Sequence, residues 1–378
     1  MKANSTKSSA GATAVLENGS ARLANDTLLV GLDWGTNISS VVTAPRGSTE
    51  TLVKELIPTV VGYANADVLP GVLPGDAKVL FGRMALKHKG NLRLVRPLQG
   101  GVIADAEAAA DFAGHLRTML QTDSRDVRAV IGMPASSDLP ARENARNAVR
   151  GVFQKVIFVP EPFLAALGVR NEAKLNDPEY QDPVVNSVYI DIGAGSTDVC
   201  LVQGHYPTVD DQLSAPFAGD AVDQIILDRI LAEYPESGLT LARVREIKER
   251  HSWVLAEDGT TPAVATIMVG GKPRKIDVTA QVGAGCDALL QKTFEMTRDL
   301  IARANPDTVS ELLRNVIVTG GGSLIKGFGV ALQAKLIEEG FENPQVRVLG
   351  DNYKDYVAAG ALKVARMARD NQWQTLLG

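Results

Sequence analysis

Hydrophobic and polar positions change their period several times along the chain. From Thr27, TLLVGLDWGTNISSVVTA sets two apolar, β-branched runs on either side of a short glycine-containing turn, the pattern of a β-hairpin. The pattern returns around Asp191 as SVYIDIGAGSTDVCLVQ. Each copy reads apolar strand, aspartate, one residue, glycine, small or hydroxyl-bearing residues, then a second apolar strand. A further pair recurs in VRAVIGMPASS and RNVIVTGGGSLIKG, each a strand running into a glycine-containing loop and a helix. Repetition of both units predicts two related halves that offer strand-end loops to a shared cleft.

Between these units the period lengthens to that of helices. Phe112, Leu116, Met119 and Leu120 recur at helical spacing in DFAGHLRTMLQ, behind Asp105 and Glu107, the acidic residues favoured near a helix N-terminus. Pro58, Pro70, Gly71, Pro74 and Gly75 break any long element over residues 58–96, which read as a small insertion in a first half spanning 27–172. The polar, proline-bearing EAKLNDPEYQDPVVN separates this half from a second, 173–350. A second insertion is expected over about 220–280, with an apolar-faced helix (Val222, Ile225, Ile226), the charged helix LARVREIKERHSW and strands ending in PRKIDVTA. Residues 351–378 read as a helix returning to the first half. Residues 1–26, rich in Ser, Ala, Asn and Gly, read as a flexible tail.

Composition narrows the partners. The 378 residues are 45% hydrophobic and 22% charged, globular proportions with length for two or three domains. Thirty-nine basic residues against 44 acidic ones give a net charge of −5, with no basic excess for nucleic-acid phosphates, so nucleic acid is not an expected partner. No apolar run approaches the roughly 20 residues of a spanning helix, so direct membrane insertion is not expected either. Two cysteines, Cys200 and Cys286, and four histidines form neither a disulfide framework nor a zinc pattern, and the expected compartment is the reducing cytoplasm.

The two aspartate-glycine hairpins are the strongest chemical signal. A glycine-rich turn lets backbone N–H groups approach an anion, and the hydroxyls of Thr36, Ser196 and Thr197 add donors for phosphate oxygens. Asp33 and Asp191, at the ends of the preceding strands, would repel phosphate directly and suit a bridging magnesium held largely through its waters. One copy would read as an ordinary turn; two copies with the same polar order favour phosphate binding. GGGS at 320–323 offers a flat strand-end surface for a base or ribose, or is simply a flexible turn. Walker-type and Rossmann-type glycine loops are absent from the sequence.

Taken together these segments carry a resemblance. LDWGT at 32–36, IGMPASS at 131–137, VPEPFLAALG at 159–168, DIGAGSTD at 191–198 and TGGGSLIKG at 319–327 follow the order of the phosphate 1, connecting, phosphate 2 and adenosine motifs of the actin, sugar kinase and heat-shock chaperone superfamily. RPLQGGVIAD at 96–105 resembles the bacterial actin MreB. VPEPF and the FENP to DNYKDYVAAGA ending resemble the actin-like filament proteins of magnetosome-forming bacteria. The resemblance implies an α/β, actin-like fold: two related halves with mixed sheets flanked by helices, each carrying a smaller insertion, and a nucleotide cleft between them. It also implies an ATP-dependent filament in the cytoplasm, with ATP or ADP and magnesium as cofactors, other copies of the chain as partner, and magnetosome-associated proteins as further partners.

The same resemblance implies individual roles. Asp33 and Asp191 would hold magnesium and take part in catalysis. Gly35, Thr36, Asn37, Gly193, Ala194, Gly195, Ser196 and Thr197 would contact the phosphates. Glu161, which alone would read as a cap or turn residue, would orient the attacking water and accept its proton. Gly320, Gly321, Gly322 and Ser323 would lie against the adenosine. Lys248 would cover the base, but the glutamate usual three residues earlier is Arg245 here, leaving Glu246 as the nearest substitute. That charged helix otherwise reads as a solvated face. Trp34 reads as packing beneath the first turn and Cys200 as a buried strand residue. A small-molecule kinase and a nucleotide-binding adaptor that hydrolyses little are the competing functions on this fold.

Overall fold

The computed structural model describes residues 27–120, 124, 126–135, 137–254, 262–350 and 353–376; the tail expected over 1–26 lies outside the described residues. Two mixed sheets form the frame. The first runs Gln374–Thr375, Lys155–Pro160, Asp126–Met133, Thr27–Asp33, Ile38–Pro45, Val53–Pro58. The second runs Gln212–Ala215, Thr197–Val202, Ser187–Ile192, Val316–Thr319, Val346–Val348. In each, the first strand of a hairpin pairs antiparallel with its return strand and parallel with a later strand. The parallel register sets Asp33 beside Gly132 and Asp191 beside Thr319. Both sheets therefore present their chemistry at the carboxyl ends of parallel strands, where open α/β sheets bind ligands.

The near-continuous apolar run of Thr27–Asp33 follows from cover on both faces. Leu28, Val30 and Leu32 face a core with Phe112 and Leu116 of helix Ala106–Met119, whose N-terminus is capped by Asp105 accepting from the Ala108 N–H at 2.9 Å. Trp34 joins this core at 3% exposure. Leu29 faces the other way, into a layer shared by the two halves. There, helices Glu161–Val169 and Tyr353–Met367 lie between the sheets, and Leu164, Ala165, Ala358 and Leu362 join Leu29, Val42 and Val130 to Tyr189, Cys200 and Ile317.

Glycine permits the close approach of those two helices. A Cβ on Gly360 would meet the Leu164 carbonyl, and one on Gly168 the backbone of Tyr356. Lys363 Nζ donates to the carbonyls of Leu167 at 2.8 Å and Arg170 at 2.9 Å, satisfying acceptors at the end of the shorter helix.

The two insertions differ in kind. Strand Val61–Ala64 lies between Val79–Phe81 and Leu92–Val95 in a small sheet with its own core of Val60, Leu73, Ala85 and Leu92. Helices Gly219–Glu233 and Leu241–His251 and the hairpin Val264–Val269, Lys272–Asp277 instead share one core with the second sheet through helix Thr279–Ile301. Among the described residues no helix is long and apolar enough to cross a membrane.

Candidate functional site

The strand ends of both halves open into one cleft of about 680 Å³. Its walls include Asp33, Gly35, Thr36 and Asn37 from the first turn, Asp191, Gly193, Ala194, Gly195 and Ser196 from the second, and Glu161 from the start of its helix. Gly320, Gly321 and Gly322 line it from the loop after Val316–Thr319, and Glu246 and Lys248 from helix Leu241–His251. Glycine is required at two of these places. Gly320 has φ +81°, and a Cβ there would strike the Asp191 carboxylate; a Cβ on Gly35 would strike the Ile38 carbonyl.

Backbone hydrogen bonds tie the two turns to the rest of the cleft. The Gly193 N–H donates to the Ser196 carbonyl at 2.9 Å, closing the second turn. Gly219 and Asp220, at the start of helix Gly219–Glu233, donate to the carbonyls of Gly193 at 3.1 Å and Ala194 at 2.7 Å. In the first half, the Gly101 N–H donates to Thr36 Oγ1 at 3.0 Å.

Four acids converge behind the turns. Desolvation pushes Asp33 up to about 7. Desolvation, with the charges of Asp33 and Asp198, pushes Asp191 up to about 8. Glu161 is raised well above the usual carboxylate range by burial and by Asp33, Asp198 and Asp191. Every charge acting on Glu161 and Asp191 is thus another carboxylate, a donor set that suits a divalent cation. Among the described residues no three Asp, Glu, His or Cys side chains are close enough to hold a metal ion directly. Glu161 is the first residue of its helix, directly after Pro160 at the N-cap.

Thr197 and Ser323 point elsewhere than expected. The fully buried Thr197 hydroxyl donates to the Phe217 carbonyl at 2.7 Å, because alternation along its strand turns it away from Ser196. Ser323 Oγ donates to the Gly320 carbonyl at 2.7 Å, bracing the glycine loop from behind. The charged helix is only partly a solvated face. Arg243 pairs with Glu246 on its outer side, but Asp223, fully buried in the neighbouring helix, draws in Arg245 Nε at 2.8 Å and Lys248 Nζ at 2.7 Å. Lys248 also donates to the Gly219 carbonyl at 2.8 Å, so its ammonium is anchored beside the second turn.

Asp198 escaped the sequence reading. It sits opposite Asp191 in the hairpin register, 1% exposed, accepting from Ser196 Oγ at 2.8 Å and from the Ala135 N–H of the first half at 3.1 Å. Its signal was present: a charge opening the otherwise apolar strand TDVCLV. Arg96, Gly219, Tyr353 and Lys354 also line the cleft, from segments carrying no phosphate-turn pattern.

The MreB/Mbl protein family matches residues 28–372. The chain belongs to the MreB/Mbl family. Within the wider set of MreB/Mbl relatives, the actin-like protein MamK of Paramagnetospirillum magneticum is 30% identical over 361 residues, 93% of this chain and 96% of that protein. MamK of Magnetospirillum gryphiswaldense is 30% identical over 356 residues, covering 93% and 92%. The solved MamK double helical filament superposes with a TM-score of 0.80 at 27% identity, over 91% of this chain and 100% of that one. MreB 5 of Spiroplasma citri bound to ADP, at 21% identity and a TM-score of 0.71 over 90% and 97%, adds a likeness of fold. This MreB/Mbl chain has the actin-like fold, with its cleft between two halves of repeated design.

Proposed function

We propose that the chain is an ATP-binding, filament-forming actin-like protein that hydrolyses ATP slowly and organises magnetosomes in a bacterial cell. One observation carries this reading: two aspartate-glycine turns from related halves face each other across a cleft that also holds Glu161. The MamK relatives and the full-length likeness to a MamK filament support assembly as the outcome of nucleotide binding.

In this reading the backbone of Gly35–Asn37 and Gly193–Ser196 binds the phosphates, and the flat Gly320–Gly322 surface takes the adenosine. Asp33 and Asp191 would hold magnesium, which would neutralise phosphate charge. Glu161 orients a water toward the terminal phosphate and accepts its proton. Asp198, fixed by Ser196 and the Ala135 N–H, holds the second turn against the first half.

Electron microscopy and sedimentation of the purified protein with and without ATP and magnesium test the reading, with phosphate release followed in parallel. Nucleotide-dependent filaments and slow release are expected. Protein that binds ATP but never sediments would overturn the filament assignment.

A further inference from the structure

Arg245 and Lys248, on the second-half wall of the cleft, are held by Asp220 and Asp223. Arg96, which leaves strand Leu92–Val95 on the first-half wall, is exposed and makes neither a hydrogen bond nor an ion pair among the described residues. Of the charges acting on it, Arg245 repels it most, and Asp220 and Asp223 attract it, all from the opposite half. Asp223 is fully buried and already serves two cations. Asp220 is different: its side chain is 39% exposed, and Arg245 takes only its Oδ1.

Each of these two residues is wired to a phosphate turn. Asp220 donates its N–H to the Ala194 carbonyl in the second turn. Arg96 begins the segment running to Gly101, whose N–H is bound to Thr36 of the first turn. The turns themselves nearly touch, since a Cβ on Gly195 would lie 2.7 Å from Thr36 Oγ1. Arg96 and Asp220 line the same cleft, so a ligand gripped by both turns would draw them toward each other.

We propose that Arg96 is a positioning residue that pairs with Asp220 across the cleft and latches the two halves over bound nucleotide. The latch rests on the nucleotide reading above and acts through closure, without touching the phosphates. Because an ion pair at a cleft mouth is modest and screened, it sets how long nucleotide stays rather than whether it binds.

Release of a fluorescent ATP analogue, measured below the assembly concentration, tests this in wild type, Arg96→Ala, Arg96→Lys, Asp220→Asn and the Arg96→Ala, Asp220→Asn double variant. Thermal midpoints verify folding; Arg245 keeps Asp223 in every variant. Each neutral single variant is expected to release about three- to fivefold faster, the double variant no faster than either, Arg96→Lys close to wild type, and the differences to shrink at high salt. Multiplicative effects in the double variant, or a silent Asp220→Asn beside a fast Arg96→Ala, would place Arg96 on the nucleotide itself and overturn the latch. Unchanged release in all variants overturns it too. Wild-type protein that binds no ATP would remove the nucleotide reading and the latch together, whereas normal wild-type binding with silent variants removes the latch alone.

Discussion

Glu161 owes its character to its neighbours. Withdrawn from water and facing Asp33, Asp198 and Asp191, its carboxyl holds a proton more tightly than an ordinary glutamate. Glu161→Gln keeps the shape and removes the base, so phosphate release should fall by about 10² to 10⁴ while ATP binding and ATP-dependent sedimentation persist. Equal loss in both assays would indicate misfolding, and unchanged release would remove Glu161 from catalysis. The acid cluster also makes stability depend on pH. Asp33 and Asp191 titrate near 7 and 8 folded but near 4 unfolded, so the folded protein binds more protons between these limits. Their contribution is complete below about pH 4 and lost as pH rises through 7 to 8. The thermal midpoint of nucleotide- and metal-free protein should fall from pH 6 to 9, with magnesium and ATP flattening the slope; a midpoint that rises over this range contradicts the scheme. Residues such as Asp33, Gly35 and Gly193 were legible because their turns need them locally. The inward set of Arg245 and Lys248 was not, since it depends on Asp223 in another helix.

Among the elements, helices Glu161–Val169 and Tyr353–Met367 form the joint between halves, and their spacing is set by glycines. Gly360→Val would drive a branched side chain into the Leu164 carbonyl, costing upwards of about 1–3 kcal/mol and lowering the melting temperature by several degrees. Gly114 provides the contrast. It lies inside helix Ala106–Met119 with nothing near its absent Cβ, so Gly114→Ala should stabilise by up to about 1 kcal/mol through helix propensity. Differential scanning calorimetry of both variants checks the pair; a tolerated Gly360→Val would mean that the helices can separate freely. Hairpins and helices were readable from period alone, whereas this packing was not, because its small residues carry no periodic signal and their partners lie far away in sequence. The core shared by the second insertion and its half was hidden for the same reason.

At the scale of the molecule, the two sheets assemble from very different spans of chain. Every strand of the second sheet lies between Ser187 and Val348. The first sheet, built mostly from residues 27–160, is edged by Gln374–Thr375, which pair with Val156 and Lys155. Arg128 locks this edge, reaching Asp370 at 2.7 Å and lying 5.9 Å from the Trp373 ring centre. Helix Tyr353–Met367 then covers the inner face of strand Thr27–Asp33. The half that is translated first therefore waits for residues translated after the second half. On the ribosome, the second half can mature while the first remains an uncovered sheet whose apolar inner face is open to holdase chaperones. Nascent chains arrested with residue 350 just outside the exit tunnel should show a protease-resistant second half and a labile first half, with protection of the first half appearing only once residue 376 has emerged. Equal protection of both halves at the earlier arrest point would mean that the first sheet forms without its cover.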